Sequence, residues 1–169
     1  MKFIHHLQFT ICFFAIALLG SSCHTGTKSN QQLSAADTAR GDTITPKINF
    51  YTGKISSNPK DADAYWNRGK LELITKSVGP AFTDLTRAVQ LDSTKSDYFY
   101  SLADVQFITG HTHEARDAFE TSIRLNPKNT DAELKLAELY FYVKKYEDAI
   151  TLINQAIQVN PNIAREYFL

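Results

Sequence analysis

Residues 133–161 read ELKLAELYFYVKKYEDAITLINQAIQVNP. Two amphipathic stretches meet here, 131–143 and 146–159. In the first, Leu136, Leu139, Tyr140 and Val143 recur at steps of three and four; in the second, Ala149, Ile153, Ala156 and Ile157 do the same. That spacing gathers each set on one face of a helix, and such a face has to be buried against something. Asn160-Pro161 closes the second stretch, because a residue before proline is steered away from helical angles.

Moving the frame back by 34 positions, twice and without a gap, returns the same reading. The units are 62–95, 96–129 and 130–163. Gly69, Ala103 and Ala137 fall in one column, Ala81, Ala115 and Ala149 in a second, and Ala88, Ser122 and Ala156 in a third. Larger apolar residues keep the register: Leu85/Phe119/Ile153, Val89/Ile123/Ile157 and Leu91/Leu125/Val159. Helix axes pack 8–10 Å apart depending on the side chains at the crossing, so a small residue on each helix allows close approach while larger ones fill the grooves. Gly110 is expected to break the first helix of the middle unit, and Gly79-Pro80 that of the first unit. Pro80 then suits the opening turn of the next helix, where no backbone donor is needed.

The pattern resembles the tetratricopeptide repeat (TPR), which has a 34-residue period and the signature W-x2-L-G-x2-Y…A-x3-F…P. In the third unit Leu136-Ala137, Tyr140, Ala149 and Pro161 hold signature positions. The middle unit matches through Phe99, Leu102, Ala103, Ala115, Phe119 and Pro127. The first matches through Tyr65, Gly69, Ala81 and Leu85, but has Arg68 and Glu72 where apolar residues are usual. Four residues apart, these two are placed to pair on one helical face. The resemblance implies an all-α fold, a right-handed α-solenoid of antiparallel helix pairs.

The flanks continue the register. Residues 46–61 look like the second helix and turn of a preceding, partial unit, since Asn58 lies 34 positions before Asp92. Residues 164–169 begin a further unit. No polar capping helix follows, and Tyr167, Phe168 and Leu169 beside the apolar face of the last full helix would form an exposed patch. That edge either continues in a longer chain or meets a partner.

The opening of the chain reads as an address. Lys2, His5 and His6 precede an apolar run at 9–20, shorter than the ~20 residues of a spanning helix. Gly20, Ser21 and Ser22 then lead into Cys23, so 1–22 has the form of a secretory signal peptide. The ending resembles a bacterial lipoprotein signal, relaxed in that Gly20 rather than Leu19 stands three residues before the cysteine. The resemblance implies cleavage before Cys23 and acylation of its thiol and amine, a two-signal membrane anchor. His24, not an acidic residue, follows; by the sorting rules of such lipoproteins this favours the periplasmic side of the outer membrane. Residues 23–45 carry almost no large apolar side chain and are expected to be a flexible linker.

Charge and composition narrow the function. Eighteen Lys+Arg balance 18 Asp+Glu, which gives no footprint for nucleic acid, and 21% charged with 43% hydrophobic residues suits a folded chain. No phosphate loop, zinc-hydrolase spacing or nucleophile elbow is present, so the expectation is neither an enzyme nor a cofactor protein. His111 and His113 flank Thr112 but lack a fixed third ligand, and read as a polar turn rather than a metal site. Asp63, Asp97 and Asp131 form a column in the first turns of their helices, where the helix dipole favours negative charge.

In the TPR superhelix the first helices line a concave groove. The resemblance places Trp66, Asn67 and Lys70 on or near it from the first unit, and Tyr100, Ser101, Asp104 and Phe107 from the second. Leu134, Lys135, Glu138 and Phe141 come from the third. Aromatic rings interleaved with single charges suit an extended peptide or a helix of another protein. A chaperone-type carboxylate clamp does not fit, because Trp66, Ser101 and Asp131 stand where basic or amide groups would be needed. The expected function is a protein–protein interaction adaptor of the bacterial cell envelope. The alternatives are a structural module that self-associates through 164–169 and the last full helix, or the regulatory part of a longer envelope protein.

Overall fold

The computed structural model describes residues 35–163, with side chains from 43 to 163; the expectations for the signal peptide, Cys23 and residues 164–169 lie outside the described residues. Among the described residues there are seven helices and no strand: α1 (Ala35–Ser57), α2 (Ala62–Ile74), α3 (Val78–Leu91), α4 (Ser96–Ile108), α5 (Thr112–Leu125), α6 (Thr130–Tyr142) and α7 (Tyr146–Val159). The pairs α2/α3, α4/α5 and α6/α7 are the three repeats. Each helix packs on its neighbours in the chain, and α2, α4 and α6 also touch one another across repeats.

The small-residue columns sit where helices cross. Gly69, Ala103 and Ala137 are buried, as are Ala81, Ala115, Ala149, Ala88, Ser122 and Ala156. Gly69 shows why the column excludes bulk. A Cβ there would stand 2.8 Å from Leu85 Cγ and 3.3 Å from the Ala81 carbonyl. Leu85 and Phe119, the large residues of the facing column, have no exposed surface. Ser122 fills the third column of the middle repeat by bonding Ser96: each hydroxyl donates to the other's carbonyl at 3.0 Å. The Asn129 amide donates to both hydroxyls, which locks α5 to the start of α4.

The turns repeat as faithfully as the helices. After each second helix, a side-chain oxygen accepts from the backbone two residues on: Asn58 from Lys60, Asp92 from Thr94, Asn126 from Lys128 and Asn160 from Asn162, at 2.9–3.1 Å. These Asx turns stop the helix whether or not proline follows, which explains why the first full unit closes on Asp92-Ser93.

After each first helix the chain makes one left-handed residue: Lys76 (φ 61°), Gly110 (φ 80°) and Lys144 (φ 64°). Paired bonds close each turn. Ser77 N–H donates to the Glu72 carbonyl and Lys76 to Leu73, and the pattern recurs at His111/Gln106 and Lys145/Tyr140. Gly110 therefore ends α4 as expected, but Gly79-Pro80 does not end α2. They lie in the first turn of α3, and Lys76 ends α2. Two stabilising bonds across the turn hold a lysine in a region that glycine enters more readily.

The second correction concerns the linker. Residues 35–45, expected to be spacer, belong to α1. Its last fourteen residues, 44–57, are in register with α3, α5 and α7, as expected for a second helix of a preceding unit. The extension begins on good helix formers, Ala35 and Ala36. Pro46 lies inside the helix and leaves the Asp42 carbonyl without an amide donor four residues on. Ile44 is buried, so this end is fastened by packing. Where the repeats have alanine, α1 has Lys47 and Lys54, both exposed.

Arg68 does more than pair with Glu72. Its Nε and one NH donate to the two oxygens of Asp84 at 2.6 and 2.8 Å, and another NH donates to Thr52 Oγ1 at 3.1 Å. One side chain thus joins α1, α2 and α3. Glu72 stands 4.0 Å away. Burial, and secondarily the Asp84 charge, push its carboxyl pKa up, and its Oε2 has no hydrogen-bond partner. In the middle repeat the same three columns hold Leu102, Gln106 and Ala118. Breaking a buried ion pair costs about 3–5 kcal/mol, whereas replacing it with packed apolar groups is often neutral or favourable. Asp84→Ala alone should therefore lower stability by about 3 kcal/mol, and Arg68→Leu/Glu72→Gln/Asp84→Ala should recover most of it; urea unfolding measures both.

Candidate interaction groove

Helices α6 and α7 enclose an open groove with a volume of about 660 Å3. Leu134, Lys135, Glu138 and Phe141 of α6 form one wall, and Tyr100 of α4 stands at its edge. The other wall is Tyr146, Ile150 and Ile153 of α7. Phe141 is 66% exposed, Ile150 52% and Tyr146 49%. Phe141 and Tyr146 meet edge to face at 5.4 Å, so the two helices present one continuous aromatic surface. An apolar patch of this kind on a soluble surface marks a contact site.

A second hollow, about 500 Å3, adjoins the first and shares Lys135 and Glu138 with it. Asp104, Phe107 and Tyr142 line it, with Phe107 edge-on to Tyr142 at 5.9 Å. Lys135 Nζ bonds Glu138 at 2.8 Å. Burial pushes the Asp104 carboxyl pKa up; Lys135 opposes that shift and Glu138 adds to it. The paired hollows thus combine aromatic walls with two carboxylates and one ammonium.

The structure brings six of the eleven sequence-chosen residues together here: Tyr100, Asp104, Leu134, Lys135, Glu138 and Phe141, with Phe107 in the smaller hollow. It spends others elsewhere. Trp66 Nε1 donates to Ser101 Oγ at 2.9 Å, and buried Ser101 donates to the Asp97 carbonyl. The Trp66 ring lies against Tyr98, with Lys70 Nζ 3.3 Å above its centre. These groups form the joint between the first two repeats. Burial lowers the Lys70 pKa, and Asp97 partly restores it. Asn67 donates to the Asp63 carbonyl and lines a shallow hollow between α1 and α2 with Phe50 and Ile74.

The aspartate column divides in the same way. Asp63 accepts from the Tyr98 hydroxyl, whose pKa is raised by burial and by that bond. Asp97 acts on Lys70, while Asp131 lines the open groove. His111 caps the start of α5, bonds Thr109 through Nδ1 at 2.9 Å and stacks on Phe82. Tyr146 and Ile150 were not among the residues chosen from sequence. Their signal was available: apolar side chains in the columns of Val78 and Phe82, on the last repeat.

Comparison with known proteins agrees with this architecture. Residues 106–167 match the family model described as Tetratricopeptide repeat. A crystal structure of MamA superposes with a TM-score of 0.69 at 25% identity, covering 79% of this chain and 78% of that one. MamA 41-end from Desulfovibrio magneticus RS-1 gives 0.65 at 13% identity, over 79% and 73%. YrrB, described as a TPR protein with an unusual peptide-binding site, gives 0.61 at 24% identity, over 68% and 59%. No curated protein matches the sequence. The fold is a TPR-type α-solenoid, an interaction scaffold for other proteins.

Asp104 supplies a test of the groove's electrostatics. Its folded-state pKa lies above the ordinary 3.8. The stability it contributes is therefore present below that value and lost as pH rises through the raised one. Asp104→Asn removes the buried charge and should raise the melting temperature at pH 7 by about 2–4 °C. The advantage should vanish toward pH 3.8; melting curves across that range measure it.

Proposed function

We propose that the protein is an interaction adaptor of the bacterial cell envelope, tethered by lipid on Cys23 and holding a peptide or helix of a partner in the α6/α7 groove. The observation that carries the groove reading is the contiguous exposure of Phe141, Tyr146 and Ile150 around a 660 Å3 cleft. Large apolar residues are costly to leave in water, at roughly 25 cal/mol per Å2, and here they line a concavity instead of being scattered. Tyr100 and Phe141 provide broad, stiff contact area, and Asp131, Lys135 and Glu138 provide a polar rim. The peptide-binding site named for YrrB supports the same use of the fold.

The tether rests on sequence: an export-type leader at 1–22, small residues before Cys23, and His24 after it, which favours the outer membrane. Among the described residues no helix is long and apolar enough to cross a membrane. Two acyl chains at Cys23 would hold the solenoid at a bilayer without one.

Both parts are open to experiment. Cys23→Ser should release the protein from the membrane fraction and abolish incorporation of radiolabelled palmitate; unchanged partitioning would remove the anchor. A photo-crosslinking residue placed at Ile150 should capture a discrete partner in the native cell. Leu134→Asp should reduce that capture at least about tenfold, the effect of ~1.4 kcal/mol, with helicity by circular dichroism retained. Undiminished capture would remove the groove from the function.

A further inference from the structure

The chain carries two internal examples of what the end of a helix pair accepts. Helix α4 lies on α2 and α3, and α6 lies on α4 and α5. The incoming helices present Tyr98, Leu102 and Val105 in one case and Ala132, Leu136 and Leu139 in the other, all buried and in matching columns. Each trio has the spacing i, i+4, i+7, one helical stripe. The surfaces that receive them include Trp66, Leu73, Val78 and Leu85 in the first interface, and Tyr100, Phe107 and Phe119 in the second. One more step of 34 residues leads to Leu134, Phe141, Tyr146 and Ile153, and all four line the open groove.

Charge specifies the occupant further. At the first interface the Asp97 carboxylate acts on Lys70. At the open end the column of Lys70 holds Glu138, so the group arriving at the Asp97 position must carry positive charge. Asp63 accepts from the Tyr98 hydroxyl. Asp131, in the column of Asp63, lies in the groove wall and offers the same acceptor. The one helix of this chain with an open outer face among the described residues, α1, has lysines at 47 and 54 in the small-residue columns and lacks the stripe. The pattern therefore points away from a second copy.

We propose that the α6/α7 face binds an amphipathic α-helix of a partner protein, seated as α4 and α6 are seated. That helix carries Lys or Arg, then Tyr, then Leu four residues later and Val or Leu three residues after that. The inference rests on the groove reading above and adds the chemistry of the bound segment.

The probe is the protein's own α4 sequence, 96–108, as a synthetic peptide in three forms: unaltered, with Asp97→Lys, and with Asp97→Lys plus Leu102→Asp. Binding to the full-length protein is followed by fluorescence anisotropy. The Asp97→Lys peptide should bind about 3–10 times more tightly than the unaltered one, since a like-charge contact with Glu138 becomes an opposite one. The Leu102→Asp form should not bind, and Ile150→Asp in the protein should abolish binding of all three. Equal affinity of the three forms, binding indifferent to Ile150→Asp, or no binding would overturn the proposal. Displacement of the peptide by a second copy of the protein would overturn it in favour of self-association. No peptide binding with Leu134→Asp still reducing cellular capture rejects the helix and keeps the scaffold. Specific peptide binding with capture undiminished keeps the helix chemistry and rejects the scaffold reading.

Discussion

A pair of antiparallel helices cannot cover its own apolar surface, and every other feature of this fold follows from that deficit. Close approach within a pair depends on glycine or alanine at the crossing, as the 2.8 Å clearance at Gly69 shows. Even so, each pair leaves one face open. Tyr98, Leu102 and Val105 close it for the first repeat and Ala132, Leu136 and Leu139 for the second. Stability is therefore shared between neighbours along the stack, and no single central core exists.

The sequence made the periodic part of this legible. A shift of 34 residues aligned the crossings, the large facing residues and the helix ends, because each is a local requirement imposed identically three times. What escaped was set by partners outside the column. Lys76 and Lys144 adopt left-handed angles because bonds across the turn hold them, and neither residue type announces this. Arg68 and Glu72 looked like a simple pair, whereas the decisive partner, Asp84, sits on the facing helix sixteen residues away. The start of α1 was invisible because residues 35–45 lack an apolar pattern; propensity and the anchoring of Ile44 decide it.

The groove was partly legible for the same reason. Residues placed there by their column were correctly on the first helices, but the column does not say which repeat has already used them. Trp66 and Ser101 are consumed by their bond to each other across a joint. Their equivalents Leu134 and Lys135 lie in the open groove. The ends of the stack also differ in chemistry: lysines occupy the small-residue columns of α1, and aromatics face the opening on α6 and α7.

The Asx turn at Asn58, Asp92, Asn126 and Asn160 has a consequence for how such a chain changes over generations. Because every module is joined to the next by an interchangeable hinge of the same bond and angle, a gene segment encoding 34 residues can be copied or lost in frame without redesigning its junctions. The length of the solenoid is then free to vary in whole steps, while substitutions in one module tailor its own surface and leave the others' geometry intact.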